Sequence, residues 1–170
     1  MNLQFAPFPN LVTPRLQLRR MTLSDDQEIL VQRSDPRLLQ YIDIQRAHNL
    51  DDARQFIQKI ETGIAENKNI YWAICLKDAP ALIGTICLWN LDTESAAAEI
   101  GYAMHPDFQG QGLMQEALEA VTHYALTVLE AKTVSGYVHP DNRPSCRLLE
   151  KNGFAVQGRD DGLLVYAKLF

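Results

Sequence analysis

The sequence has no long apolar run. Its hydrophobic stretches stop well short of the roughly 20 residues that cross a bilayer, so no membrane span is expected. It is poor in basic charge: 16 Lys and Arg stand against 21 Asp and Glu, for a net charge of −5. A nucleic-acid partner shows as a basic face or stripe, and none is expected here. The mild acidic balance is compatible with cationic substrates and also serves solubility. Only three cysteines occur, Cys75, Cys87 and Cys146, scattered and odd in number. No Cys-x-x-Cys or Cys/His cluster has ligand spacing, so no metal is expected and the three read as reduced core thiols. The opening MNLQFAPFPN lacks a basic flank followed by an apolar segment, so no signal peptide is expected and the location is read as cytoplasmic. There is no low-complexity tract, no long polar linker and no internal repeat of roughly 20–50 residues. Residues 1–170 are therefore expected to form a single domain with a proper core.

What is present is a regular alternation of short periodic segments. TPRLQLRRM carries Leu16 and Leu18 at strand spacing. Ser24 to Gln27 has the spacing of a capping box and opens a predicted helix to about Arg33, which Asp35-Pro36 ends. A second helix starts at Asn49 or Asp51, with Phe56, Ile57, Ile60 and Ile64 along one face. Segments 70–77, 81–91 and 96–104 read as an antiparallel meander. A helix follows from Leu113 to about Leu129, with Ala117, Leu118, Val121, Ala125 and Val128 as its apolar face. A strand over 133–139 comes next, then a helix over 143–152 with Pro144 in its first turn and Gly153 past its end. A strand over 163–169 closes the chain, in a hairpin with the segment before it. The fold class is α+β with a mostly antiparallel sheet, and the strand–helix–strand unit from 104 to 139 implies one parallel pair.

The segment MHPDFQGQGLM, Met104 to Met114, raises a functional question. A helix N-terminus offers unpaired N–H groups and partial positive charge, and the glycines Gly110 and Gly112 permit close approach of an anion. A dinucleotide fingerprint would require Gly where Gln115 stands, in the first βα unit of a doubly wound sheet, and no Gly-Lys-Ser/Thr of a P-loop follows. A tight turn without ligand accounts for these residues equally well at this point. The tripeptide His-Pro-Asp occurs twice, at 105–107 and 139–141. Proline removes a ladder donor, so both copies mark strand ends.

The turn Gln109-Gly110-Gln111-Gly112-Leu113-Met114, after EIGYAMHP, resembles motif A of the GNAT superfamily of N-acetyltransferases, whose backbone amides hold the acetyl-CoA pyrophosphate. Met114 stands where Gly or Ala is commonest in that motif; binding through backbone amides is expected to survive it. A second segment, Asn142, Ser145, Leu148, Leu149, Gly153 and Phe154 in NRPSCRLLEKNGF, resembles the family's downstream Asn-to-Gly-Phe pattern. LVTPRLQLRRMTLSD is similar to the first strand of the ribosomal-protein N-terminal-alanine acetyltransferase subgroup. The resemblance covers the whole chain. It implies a GNAT fold of six to seven strands and about four helices, with a splayed central parallel pair holding the pantetheine arm. It also implies direct transfer of acetyl from acetyl-CoA, without metal, to a primary amine on a small molecule or a protein N-terminus. The protein would be a monomer or homodimer.

The resemblance further implies site roles. Backbone N–H groups near Met104 polarise the thioester carbonyl. Glu99 is the candidate base, and Asn142 binds pantetheine. The Tyr acid of many members is replaced here by Leu149, and Ser145 is the substitute implied by the subgroup. Asn142 and Ser145 serve equally well as helix-capping residues. Cys146 has no His/acid pair placed beside it, and His48 reads as a solvated loop residue, in a segment (36–50, with Tyr41) that walls the acceptor site. Trp72 and Trp89 read as core or sheet-face packing. A peptide α-amine, with pKa about 7.7–8, is roughly a tenth neutral at pH 7, against about one part in a few thousand for a lysine-type amine near 10.4. That gap is ~3–4 kcal/mol, so a weakly placed Glu99 serves an N-terminal substrate better. Loss of the Tyr leaves a competing reading, a non-catalytic acyl-CoA-binding module.

Overall fold

The computed structural model describes all 170 residues. The chain runs β1 (Leu11–Val12), β2 (Leu16–Arg20), a 3-10 turn (Leu23–Asp25), α1 (Asp26–Gln32), α2 (Pro36–Leu39) and α3 (Leu50–Ala65). The meander β3 (Ile70–Leu76), β4 (Ala79–Asp92) and β5 (Ala97–Met104) follows. A second 3-10 turn (Pro106–Phe108) leads to α4 (Leu113–Thr127), β6 (Thr133–Val138), α5 (Arg143–Lys151), β7 (Ala155–Asp160) and β8 (Leu163–Leu169). All eight strands form one sheet in the order β1-β2-β3-β4-β5-β6-β8-β7. The count exceeds the expected six to seven because β1 is only two residues long, below what alternation reveals, and β7 is exposed along its whole length. Five helices replace the expected four, because Asp35 caps Pro36 into the one-turn α2 by accepting the Arg37 N–H.

Every pair in the sheet is antiparallel except β5–β6, which is parallel. That pair has only three rungs, Ala97–Thr133, Ala98–Val134 and Glu99–Ser135. Beyond them β5 stays on β4 as far as Met104, and β6 stays on β8 as far as Val138. The two strands therefore part company at Glu99 and Ser135, and a gap opens toward their C-terminal ends.

Local chemistry explains most boundaries. The first capping contact falls two residues earlier than the spacing of Ser24 suggests: the Thr22 N–H donates to the Asp25 carboxylate at 2.8 Å. Asn49 caps α3 by accepting the Asp52 N–H at 2.9 Å. The turn between β3 and β4 contracts to Lys77-Asp78, because bulges around Cys75 shift the register and draw Ala79 and Pro80 into β4. On α4, Ala117, Leu118, Val121 and Ala125 are buried as expected, but Val128 is exposed; the helix ends there and Leu129 takes the inward position.

A large core including Trp72, Ile86, Leu88, Leu118, Val121 and Val134 surrounds α4. A smaller one joins α1 and α3 to β3 through Ile29, Ala53, Ile57, Ala73 and Cys75. Trp72 is fully buried and its indole N–H donates to Pro9 O at 2.7 Å, whereas Trp89 is 44% exposed on the sheet face. All three cysteines are free and buried. No helix is long and apolar enough to cross a membrane.

Candidate active site

The site is built from two strand ends that diverge. Strand alternation fixes which groups face the gap. The His105 N–H donates to Ile83 O at 2.8 Å, so odd-numbered residues of β5 turn their backbone polar groups to β4. The amides of Tyr102 and Met104 then point the other way, toward the β6 side, where no strand receives them once the rungs end at Glu99 and Ser135. The Met104 carbonyl is taken by the Gln109 side chain, whose Nε2 donates at 2.9 Å.

Past Met104 the chain turns through Gly110 and Gly112, both at φ +75°. A side chain there would have to occupy the left-handed region, which glycine enters at no steric cost. The first internal amide bond of α4 is Glu116 N–H to Gly112 O, and no amide from Gly110 through Gln115 donates to a group within the protein. The turn is nevertheless held from outside. The Arg15 guanidinium donates to Gln111 O at 2.9 Å and pairs with Glu116 at 2.7 Å. Glu116 also accepts the Arg15 N–H at 2.7 Å and the Thr13 hydroxyl. The Gln111 side chain donates to Asp107 O at 3.1 Å. A row of exposed amides on a braced turn, at the positive end of a 15-residue helix, is suited to an anion and fits a pyrophosphate. Leu113 is buried in the core and Met114 packs against it, so neither side chain obstructs the amides.

Across the gap, Asn142 caps α5. Its Oδ1 accepts the Ser145 N–H at 3.3 Å, and its Nδ2 has no partner in the protein. Ser145 lies on the first turn of α5, and its Oγ is 2.6 Å from the phenolic oxygen of Tyr102. Tyr102 was not among the sequence candidates. Its place on the same face of β5 as Ile100 and Met104 follows from alternation, but nothing in the sequence pairs it with a serine 43 residues away. Burial pushes its phenol up to about 12.

Glu99 stands on the opposite face of β5, at the last rung before the divergence. Its carboxylate accepts from Asn90 Nδ2 at 2.9 Å. Asn90 is the second missed residue: it adopts φ +45° where β4 loses register between Trp89 and Asp92, and the irregularity turns its amide to Glu99. The structure thus gathers Asn142, Ser145 and the amide-bearing turn on one side and sets Glu99 apart. Trp89, the strand partner of Glu99, and Tyr137 leave partly exposed rings near it. Tyr41 stacks on His139 at the end of β6, with ring centroids 5.3 Å apart, bringing the segment after α2 to the mouth of the gap. Arg33 anchors that segment by donating to Gln45 O at 2.8 Å and accepting the Ala47 N–H at 3.0 Å. His48 is exposed, and Leu149 and Cys146 are buried core residues.

The doubled His-Pro-Asp has a common geometry. In each copy the His Nδ1 accepts the N–H of the Asp two residues on, at 3.2 Å, closing a turn at the end of β5 and of β6. A surface concavity of about 460 Å³ lies elsewhere, between Arg20–Leu23 and α3. The gap is an open passage between strands, and its shape is set by backbone divergence.

The family profile described as acetyltransferase (GNAT) domain matches residues 15–155. The uncharacterized N-acetyltransferase p20 of Bacillus licheniformis is 32% identical over 87% of this chain and 83% of its own length. The ribosomal-protein-serine acetyltransferase of Escherichia coli is 32% identical over 45% of this chain and 43% of its own. The solved structure of Mycobacterium smegmatis RimJ in complex with CoA-disulfide superposes with a TM-score of 0.82, at 19% identity, covering 95% of this chain and 86% of that one. The chain belongs to the GNAT family of acetyltransferases and is an N-acetyltransferase.

Proposed function

We propose that the protein, as one N-acetyltransferase domain spanning residues 1–170, transfers acetyl directly from acetyl-CoA to a primary amine within the β5–β6 gap. The observation that carries this reading is the gap itself. A parallel pair stops after three rungs, and unsatisfied amides line the strand and the following turn. On this reading the amides of Gly110 to Met114 hold the pyrophosphate, with Gln109 and Gln111 bracing the turn. Met104 and the Asn142 side-chain amide bind the pantetheine arm.

Spacing narrows the oxyanion donor. From Glu99 to Met104 is five strand residues, roughly 17 Å at ~3.4 Å each. One carbonyl cannot touch both the Met104 amide and a base at Glu99. The Tyr102 amide, midway and level with Ser145, is the donor consistent with both roles, and Met104 serves the arm above it. Glu99 then accepts the amine's proton from one face of the sheet, through water where needed. Ser145 protonates the leaving sulfur from the other face.

The acceptor most consistent with the site is an α-amine at a peptide N-terminus. Glu99 is half-exposed and held only by Asn90, a weak base arrangement that suffices for an amine already partly neutral. Acetyl-CoA is mixed with an N-terminal peptide series, polyamines and amino acids while free thiol is followed. Release with α-amine peptides above all others is expected. Saturable binding with no release from any amine would make the chain an acyl-CoA-binding module.

A further inference from the structure

The transferase reading leaves one contact unused: the Tyr102 phenol against Ser145 Oγ at 2.6 Å, across the side of the gap where α5 begins. We propose that Tyr102 is the positioning residue of the acid: it holds Ser145 Oγ in place and replaces the proton that Ser145 gives to the leaving thiolate. The inference rests on the transferase reading above.

Hydrogen-bond counting supports it. Two hydroxyls share one bond, so one O–H is always left over. With Tyr102 donating, the spare hydrogen is on Ser145. The serine hydroxyl has no other partner in the protein, so the phenol alone fixes its rotamer. Chemistry points the same way. An aliphatic hydroxyl, taken as close to water at ~15.7, is a poor acid toward a thiolate near ~8.5, uphill by about seven powers of ten. A phenol is far closer to the thiol, even pushed up to about 12 by burial, and at that value it keeps its proton at neutral pH. The position where many relatives carry a phenol on α5 is occupied by Leu149, which is fully buried against Gly136 and Ile100 of the two central strands. Tyr102 brings a phenol to the same helix from β5.

The step balances. As the carbon–sulfur bond of the tetrahedral adduct breaks, its electron pair goes to sulfur. Sulfur takes the Ser145 hydroxyl proton, and Ser145 Oγ takes the phenolic proton. The phenolate recovers a proton from solvent, which has received one from the attacking amine through Glu99. No oxidant, metal or further reactant enters.

The test compares two donors in wild type, Tyr102→Phe, Ser145→Ala and the double variant. One is acetyl-CoA. The other is the acetyl thioester of 4-nitrothiophenol, whose thiolate leaves without a proton. With acetyl-CoA, Tyr102→Phe is expected to lower kcat ~10–100-fold with KM unchanged, and the double variant to be no slower than Ser145→Ala. With the nitrothiophenyl donor the loss is expected to vanish. Full activity of Tyr102→Phe on acetyl-CoA, or equal losses with both donors, overturns the proposal. If Tyr102→Phe does not fold, Ser145→Ala carries the comparison, and an equal loss with both donors again overturns it. Wild-type protein that binds CoA but releases no thiol overturns the transferase reading itself, and the relay with it.

Discussion

At the scale of residues, the two proposed proton-transfer groups are divided by a strand. Glu99 and Tyr102 lie three apart on β5, so their side chains leave opposite faces. For Glu99→Gln we predict a loss of kcat on α-amine peptides below ~100-fold, the low end of general-base effects, because much of the amine is already neutral. The loss should shrink as pH rises past the amine's own pKa, which a pH–rate profile reads. A second residue-scale prediction concerns stability. Asp25 is 4% exposed and receives Arg19 at 2.6 Å and the Thr22 N–H at 2.8 Å. Burial pushes its carboxyl up, but the Arg19 and Thr22 hydrogen bonds outweigh that and hold it below the usual carboxylate range. A depressed folded-state pKa stabilises above the unfolded value near ~3.9 and is lost as pH falls through the folded one. Asp25→Ala is expected to cost ~2–4 kcal/mol at pH 7 in urea denaturation, and less at pH 3. Local conformation was legible where a motif marked it: Gly110 and Gly112 form the turn before α4, and Asn142 caps α5. Tyr102 and Asn90 were not legible, because their partners lie across strands and a register slip, which one-dimensional spacing does not encode.

At the scale of elements, α4 and α5 each present an N-terminus to the gap, and each is constrained differently. The α4 turn depends on φ rather than on room: a Cβ at Gly112 would meet only Arg15 Nη2 at 3.5 Å, and at Gly110 nothing within 4 Å. Gly112→Ala should therefore cost only the left-handed penalty of ~1–2 kcal/mol, seen as a lower melting temperature, and weaken CoA binding by disturbing the amides. At α5 the limit is packing. Leu149 has its Cδ1 3.4 Å from where a Cβ on Gly136 would stand. Leu149→Tyr is expected to destabilise by ~1–3 kcal/mol through overpacking and not to rescue Ser145→Ala; calorimetry and thiol release on the double variant check this. Helix existence was readable from periodicity and caps. The short α2 and β1 escaped because one turn or two residues hold no period.

At the scale of the whole molecule, the parallel pair was readable from the strand–helix–strand order, and the doubled His-Pro-Asp marked where its strands end. How far the pair would stay together was not readable, since that depends on β6 following β8 rather than β5. The central claim is that the amides left over by this divergence take acetyl-CoA. Amide hydrogen exchange tests it directly. The account predicts rapid exchange of the Gly110 to Gln115 amides in the free protein, and their protection together with Tyr102 and Met104 when acetyl-CoA is saturating. Saturable binding with no change at these amides, or with protection confined to another surface, would contradict it.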